Sequence, residues 1–157
     1  MAAKRAKKGV AVLIVDNNQD VLQAAEVLFK RHDLTITPLV VELKRRDIER
    51  KAFPKDKVDR VLAVIRESGP QIVLVDICLY ETPIDIADEK KATWSGPALM
   101  AAIRQELPAQ KMASYSAYTE YVISDIDDQR RAYGVHDTPH WGLSDLNIEA
   151  VRAAIRG

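Results

Sequence analysis

The chain has 157 residues, of which 47% are apolar, with 23 Lys and Arg balanced by 23 Asp and Glu. This length is sufficient for one well-buried domain and short for two. The balanced charge excludes a global electrostatic field that would attract nucleic acid or an anionic membrane surface, and the single Cys78 excludes an internal disulfide.

Residues 1–9 are predicted to form a basic, solvated tail, and residues 10–157 a single domain. The tail has positive charge, but the apolar core of a secretory signal does not follow it. We therefore expect a cytoplasmic protein that does not contact membranes. Because no further domain follows Gly157 in this sequence, we expect any output to pass through a partner protein.

The first half of the domain alternates predicted strands and helices. The run "VAVLIVD" from Val10 is continuously apolar, which is typical of a strand covered on both faces. Residues 17–33 have apolar residues at helical spacing, with Asn17 or Asn18 as the cap. The strand predicted within residues 34–43 contains Pro38, which favours a sheet edge, and the helix over 58–69 ends at Gly69.

The second half continues the alternation. The run "QIVLVD" predicts another doubly buried strand, and a helix over 95–107 begins at the cap-like Ser95. A fourth strand is predicted in "KMASYSA", a helix over 118–134, a weak strand within 135–142 and a final helix over 144–157.

This order predicts an α/β fold with a doubly wound, five-stranded parallel sheet. Ligands of such sheets bind beyond the carboxyl ends of the strands. Asp16 ends the first predicted strand and Asp76 the third, and these strands are neighbours in the flavodoxin-like order 2-1-3-4-5. Both carboxylates are therefore expected to face one crevice. An aspartate at a strand end is alternatively a turn-former or a helix cap, a reading that is stronger for Asp16 than for Asp76.

The motifs in this framework resemble those of the receiver domains of bacterial response regulators. "VLIVDNNQDVL" is similar to the acidic-pair strand and first helix of that family, and "IVLVDICL" to its phosphoacceptor strand. "SGPALMAAIR" resembles the helix that follows, and "ASYSAY" the strand that ends in a switch hydroxyl. The resemblance implies a receiver-type (βα)5 fold over nearly the whole chain after the tail.

The resemblance also implies roles for individual residues. Asp76 would be the phosphoacceptor and Ser116 the hydroxyl that contacts the phosphoryl group. The metal ligands would be Asp16, Asn17, Asp76 and the backbone carbonyl of Cys78, with Mg²⁺ as the cofactor. Mg²⁺ is a hard cation that prefers oxygen ligands, and a carboxylate is a suitable nucleophile for phosphorus.

Two positions depart from the family pattern. Asn17 stands where the family has a second acid, so metal binding is expected to be weak. The family lysine is also missing, since its position falls on Trp141 or, in an alternative alignment, on Thr138. His136 and His140 lie nearby and would supply positive charge if protonated, although a surface histidine without a role is the simpler interpretation.

Two insertions, near residues 44–57 and 80–93, follow strands and are predicted to lie over the crevice. The first is mostly basic and the second is acidic before Lys90, so they are expected to attract each other as a cover. The alternatives are two independent solvated loops, or one longer helix around "VELKRRDIERKAF".

The leading functional hypothesis is a stand-alone receiver-like module of a phosphorelay, not an enzyme, that works through protein contacts. Its partners would be a histidine kinase or another signalling protein, and a downstream effector. A pseudo-receiver that is never phosphorylated is the main alternative. A small aspartate-nucleophile hydrolase is less consistent with the sequence, because Cys78 occupies the position of its acid/base. A homodimer would use the face of the fourth helix, fifth strand and last helix, with large residues at Tyr118, Tyr121, Tyr133 and Trp141.

Overall fold

The computed structural model describes residues 10–79, 93–116, 123–142 and 148–157. The predicted tail, residues 80–92 of the second insertion, and Tyr118 and Tyr121 of the predicted dimer face lie outside these ranges. The described strands are β1 (Val10–Asp16), β2 (Thr35–Val40), β3 (Ile72–Asp76), β4 (Met112–Ser116) and β5 (His140–Gly142). The described helices are α1 (Gln19–Lys30), α2 (Arg45–Arg50), α3 (Lys55–Ser68), α4 (Ser95–Glu106), α5 (Ile123–Ala132) and α6 (Ile148–Arg156).

The five strands form one sheet in the order β2-β1-β3-β4-β5, and every neighbouring pair is parallel. This confirms the predicted fold class and strand order. β2 lies at an edge, where the missing N–H of Pro38 leaves no gap in an inner ladder. At the opposite edge β5 has only three residues, as expected for a weak strand interrupted by Pro139.

Each face of the sheet buries its own apolar layer, because side chains alternate along a strand. One layer joins Leu13, Val15, Val73 and Val75 to the apolar sides of α3 and α4. The other layer joins Val12, Ile14, Ile72 and Leu74 to α1 and α6. The central strands are thus apolar without alternation because both their faces are covered.

The first insertion contains a short helix, α2, and is neither an open loop nor one long helix. Asp47 accepts a hydrogen bond from the Lys44 backbone N–H at 3.0 Å, which closes the first turn. Ile48 is buried against the core, and the chain leaves the helix at Lys51 with φ of 51°. α2 is thus anchored by one apolar side chain while its basic residues face outward.

The ends of the longer helices follow the sequence signals except at α4. The Asn18 side chain caps α1 by accepting from the Asp20 N–H at 2.9 Å, and Gly69 ends α3 in the left-handed conformation. Ser95 is not a cap, since α4 has Trp94 before its first turn and no side-chain capping bond. None of the described helices combines the length and the apolar character that crossing a membrane requires.

Candidate functional site

Three polar side chains form a row across the carboxyl ends of the central strands. Val15 of β1 pairs with Val75 of β3, so Asp16 and Asp76 are the next residues on these neighbouring strands. Asp76 is in turn the register partner of Tyr115 on β4. By strand alternation all three side chains point toward the face that α1 and α6 cover. The ladder itself therefore brings two carboxyls and a phenol together.

Asp16 is almost completely buried, with 2% of its surface exposed, and both of its carboxyl oxygens accept hydrogen bonds. Oδ1 accepts from the Asn18 backbone N–H at 2.8 Å, and Oδ2 accepts from the Tyr115 hydroxyl. Burial raises the pKa of Asp16, while the hydrogen bonds from Tyr115 and Asn18 oppose the rise. Asn18 thus connects the start of α1 to the acidic pair.

Asp76 is a partly buried carboxyl at the end of β3, beside Asp16 at the end of the neighbouring β1. Its Oδ1 lies 3.4 Å from the Cys78 backbone N–H, which is a long and weak contact. Burial and the neighbouring Asp16 charge raise the pKa of Asp76 well above its ordinary value. The structure therefore places Asp16 and Asp76 beside each other at the carboxyl ends of neighbouring strands. The shared crevice and the chemical roles of the two residues stay predictions.

The backbone around Asp76 is held by α4, and Gly96 permits the close approach. A Cβ at Gly96 would lie 2.4 Å from the Asp76 carbonyl oxygen and 2.7 Å from the Ile77 Cα. Beside it, the Ser95 hydroxyl accepts from the Leu79 N–H at 2.9 Å. The Leu79 carbonyl accepts from the Leu43 N–H at 2.7 Å. The segment that follows the candidate phosphoacceptor is therefore fixed on both sides.

Ser116, the predicted switch hydroxyl, is buried at the end of β4. It pairs with Gly142 of β5, and strand alternation directs its side chain to the face opposite Tyr115. Trp141, one candidate for the family lysine position, pairs with Tyr115. Thr138, the other candidate, is buried with its hydroxyl donating to the Val135 carbonyl at 2.6 Å. In the described ranges no Lys or Arg contributes to the pKa shift of either carboxyl.

His140 is not an unengaged surface histidine. Its Nδ1 shares a hydrogen bond of 2.7 Å with the Ser114 hydroxyl, and burial together with the nearby Arg130 charge lowers the pKa of His140 to about 4. The side chain is therefore neutral near pH 7 and does not replace the lysine charge. Cys78, also a predicted site residue, is buried, and its backbone N–H faces Asp76.

The donor groups fit a tightly held Mg²⁺ ion poorly. Carboxylate, amide and carbonyl oxygens are the right ligand types, but the Tyr115 hydroxyl and the Asn18 N–H already engage both oxygens of Asp16. Within the part of the chain that the structure describes, no group of three or more His, Cys, Asp or Glu residues is arranged to hold a metal.

Tyr115 is the site residue that the sequence reasoning missed. The tyrosine is buried, and burial together with the two neighbouring carboxyls raises the pKa of its hydroxyl well above the usual value. The available signal was its place in "MASYS", where it stands among the small residues Ala113, Ser114 and Ser116 at the end of the strand beside β3. Its hydroxyl could be assigned to the site only once the register between β3 and β4 was known.

Comparison with known proteins relates the chain to solved structures. No protein-family model and no curated protein sequence matches it. A response regulator from Thermotoga maritima has a TM-score of 0.58 and 16% identity, and the match covers 94% of this chain and 98% of that one. A LuxR-family two-component response regulator from Aurantimonas sp. SI85-9A1 has a TM-score of 0.61 and 14% identity, covering 96% and 87%.

A third similar structure is a response regulator protein from Burkholderia pseudomallei with a phosphorylated aspartic acid, a calcium ion and citrate. Its TM-score is 0.55 at 16% identity, and the match covers 93% of this chain and 66% of that chain. At these identities the likeness establishes the fold. The chain therefore has the CheY-like fold of response regulator receiver domains.

Proposed function

We propose that the chain is a receiver-type signalling module in which Asp76 is the phosphoacceptor. The observation that carries this proposal is the place of Asp76 at the end of the central buried strand, beside Asp16, in a receiver fold. A phosphorylated aspartic acid in the similar Burkholderia pseudomallei protein supports it. The module acts by contacting other proteins and is not itself an enzyme with a separate substrate.

The proposed chemistry is a phosphoryl transfer to a carboxylate. An Asp76 oxygen attacks the phosphorus of a donor and forms the new P–O bond, while the bond from phosphorus to the donor's leaving atom, a nitrogen in a phosphohistidine, breaks and its electron pair stays on that atom. The attacking group must be ionised, so the raised pKa of Asp76 moves the onset of reactivity to higher pH than for an ordinary aspartate. Ser116, one residue beyond the register partner of Asp76 at the carboxyl end of β4, is the proposed hydroxyl partner of a phosphoryl oxygen that extends past the strand ends.

Cation binding at this site is proposed to be weak. Asp16, Asp76, the Asn17 amide and the Cys78 carbonyl are the groups that would hold Mg²⁺, and an ion there would offset the charge of the acidic pair. The calcium ion in the similar Burkholderia pseudomallei structure supports a cation at the acidic end of the sheet. Asn17 in place of an acid and the hydrogen-bonded state of Asp16 support low affinity.

The proposed partners are a histidine kinase or another signalling protein upstream, and a protein effector downstream. The proposed dimer face contains α5, β5 and α6. Among its described large residues, Tyr133 and Trp141 are partly exposed and therefore accessible to a partner. Phosphorylation would act by changing the relative stability of two arrangements of this face.

A pseudo-receiver is a second candidate, and the Tyr115 contact with Asp16 favours it. In that case the acidic pair is a satisfied polar centre of the fold, and the protein binds its partner without phosphorylation. The two candidates differ in whether Asp76 ever acquires a phosphoryl group.

Intact-mass measurement after incubation with Mg²⁺ and a small phosphodonor separates them. Wild type should gain one phosphoryl group slowly and incompletely, and Asp76→Ala should gain none. Asn17→Asp should react faster because it restores an anionic ligand. Asp59→Ala changes an exposed aspartate of α3 and should behave as wild type. An unmodified wild type together with an unmodified Asn17→Asp variant would contradict the phosphoacceptor proposal and support the pseudo-receiver.

A further inference from the structure

The Tyr115 hydroxyl has a role at the acidic pair that neither the fold nor the proposed phosphoryl transfer explains. Tyr115 is the direct register partner of Asp76, yet its hydroxyl donates to Asp16, one strand further along the sheet. The phenol therefore passes across the position of Asp76 on the α1 side. A tyrosine is long enough to make this connection, whereas the serines beside it in β4 are not.

The tyrosine ring is held in place by apolar neighbours. It lines an apolar groove with Ile14 of β1 and with Val21, Ala25, Leu28 and Phe29 of α1. Only 3% of the Tyr115 surface is exposed, so water does not compete freely for the hydroxyl. The ring thus has little freedom to turn away, and the donor stays directed at the carboxyl.

The consequence for a cation follows from the hydrogen-bonding capacity of Asp16. A carboxylate is an acceptor group, and a divalent ion and a phenol O–H are both attracted to its oxygens. The Asn18 N–H engages Oδ1 and the Tyr115 hydroxyl engages Oδ2, so an ion that binds either oxygen competes with a donor already held there. The backbone donor belongs to the turn that starts α1, which leaves the tyrosine as the donor that can be removed without altering that turn.

We propose that the Tyr115 hydroxyl occupies Asp16 in place of a metal ion, so that this one side chain lowers the affinity of the acidic pair for divalent cations. Tyr115 acts through Asp16 and is therefore a positioning residue. The inference deepens the proposed function, because it concerns the same carboxyl pair. Its test measures cation binding without any phosphodonor, so its failure is distinguishable from failure of phosphorylation.

The test compares Mg²⁺ binding by wild type, Tyr115→Phe and Ser68→Ala, measured by calorimetric titration. Ser68→Ala is the control, since it removes a partly buried hydroxyl at the end of α3, where it donates to the Val64 carbonyl at 2.7 Å. Removing one competing hydrogen bond should tighten Mg²⁺ binding by Tyr115→Phe about tenfold over wild type. Ser68→Ala should bind as wild type does. Equal or weaker binding by Tyr115→Phe, or equal tightening in both variants, would overturn the inference.

Folding of each variant is checked by near-ultraviolet circular dichroism. If Tyr115→Phe does not fold, 4-fluorophenylalanine at position 115 replaces most of the hydroxyl volume without supplying a donor, and the same tightening is expected. If both the Tyr115→Phe and the 4-fluorophenylalanine proteins fail to fold alone but fold in excess Mg²⁺, the inference is supported, because the ion then replaces the missing partner of Asp16. If both proteins stay unfolded in excess Mg²⁺, the hydroxyl has a structural role that a cation cannot fill, and the inference is wrong.

Discussion

Both faces of the sheet bury polar groups near the carboxyl ends of the central strands, but burial shifts the pKa of the groups on the two faces in opposite directions. On the face covered by α1 and α6, the acidic pair and Tyr115 form a hydrogen-bonded row in which the pKa of both carboxyls is raised. On the face covered by α3 and α4, Ser114 bonds His140, whose pKa is lowered to about 4. Burial disfavours the charged form in both places, so the pKa of each acid is raised and the pKa of the histidine is lowered.

Near pH 7, the acidic pair can respond to a bound ligand, whereas the Ser114–His140 pair cannot. Near pH 7 the histidine is uncharged and has its partner in the adjacent strand. The carboxyl pair instead combines two anionic groups, for which an added cation or a phosphoryl group changes the balance of charge. The row that includes Asp76 is therefore the place where binding can shift the free energy of the fold.

The largest expected effect is the acid sensitivity caused by His140. Its pKa in the folded state is about 4, below the ordinary 6.5, so the folded state binds fewer protons than the unfolded state between these values. Stability is fully present above pH 6.5 and falls as the pH decreases toward 4, by roughly 3 kcal/mol in total. Urea unfolding of wild type and His140→Gln across pH 4–7 should show this loss in wild type only.

His136→Gln is the control for that measurement, because His136 is an exposed histidine on the same connection. It should retain the acid-dependent loss of wild type. The same loss in His140→Gln would show that the buried histidine is not its source.

Adding a methyl group where α4 packs closely against the end of β3 should have the next largest effect. Gly96→Ala places a Cβ within 2.4 Å of the Asp76 carbonyl oxygen, so the backbone must shift, at a cost of about 2–3 kcal/mol of unfolding free energy. Gly69→Ala is a matched comparison, with open space but a φ of 59°, and should cost about 1 kcal/mol. Chemical denaturation measures both. Equal losses in the two variants would mean that the α4 contact is not tight.

Neutralising Asp76, the proposed phosphoacceptor, should give a smaller effect of opposite sign. The pKa of Asp76 is raised in the folded state, so its contribution to stability is present below the ordinary value and is lost as the pH rises through the folded pKa. Asp76→Asn should therefore be more stable than wild type at alkaline pH, by on the order of 1 kcal/mol, the usual scale for one buried polar group. Thermal unfolding at pH 8 checks this, and a less stable variant would contradict the raised pKa.

Much of the fold was predictable because apolar runs and turn residues report local structure. Continuous apolarity in β1 and β3 predicted strands buried on both faces, and their terminal aspartates predicted a shared crevice. The row with Tyr115 was not predictable in the same way, since it depends on the register between β3 and β4. A slip of one residue would direct Ser116 to that face and Tyr115 to the other.

The remaining differences also come from tertiary contacts that a local pattern does not specify. Ser95 looked like a helix cap, but its hydroxyl bonds the Leu79 N–H of the segment after β3. His140 looked like a surface residue, but the pairing of β5 with β4 places it beside Ser114. The short helix α2 depends on the packing of Ile48 into the core. This packing involves residues far away in the sequence, so the insertion alone does not predict it.

The most direct test of the account is the pH dependence of the initial rate at which wild type is phosphorylated on Asp76, measured by intact mass at a fixed phosphodonor concentration. The carboxylate form must attack, and burial beside Asp16 raises the pKa of Asp76. The rate should therefore rise with pH over a range that lies above the ordinary titration range of an aspartate, and Asp76→Ala should form no adduct at any pH. A wild-type rate that reaches its plateau within the ordinary titration range of an aspartate, or an adduct that persists in Asp76→Ala, would contradict the account.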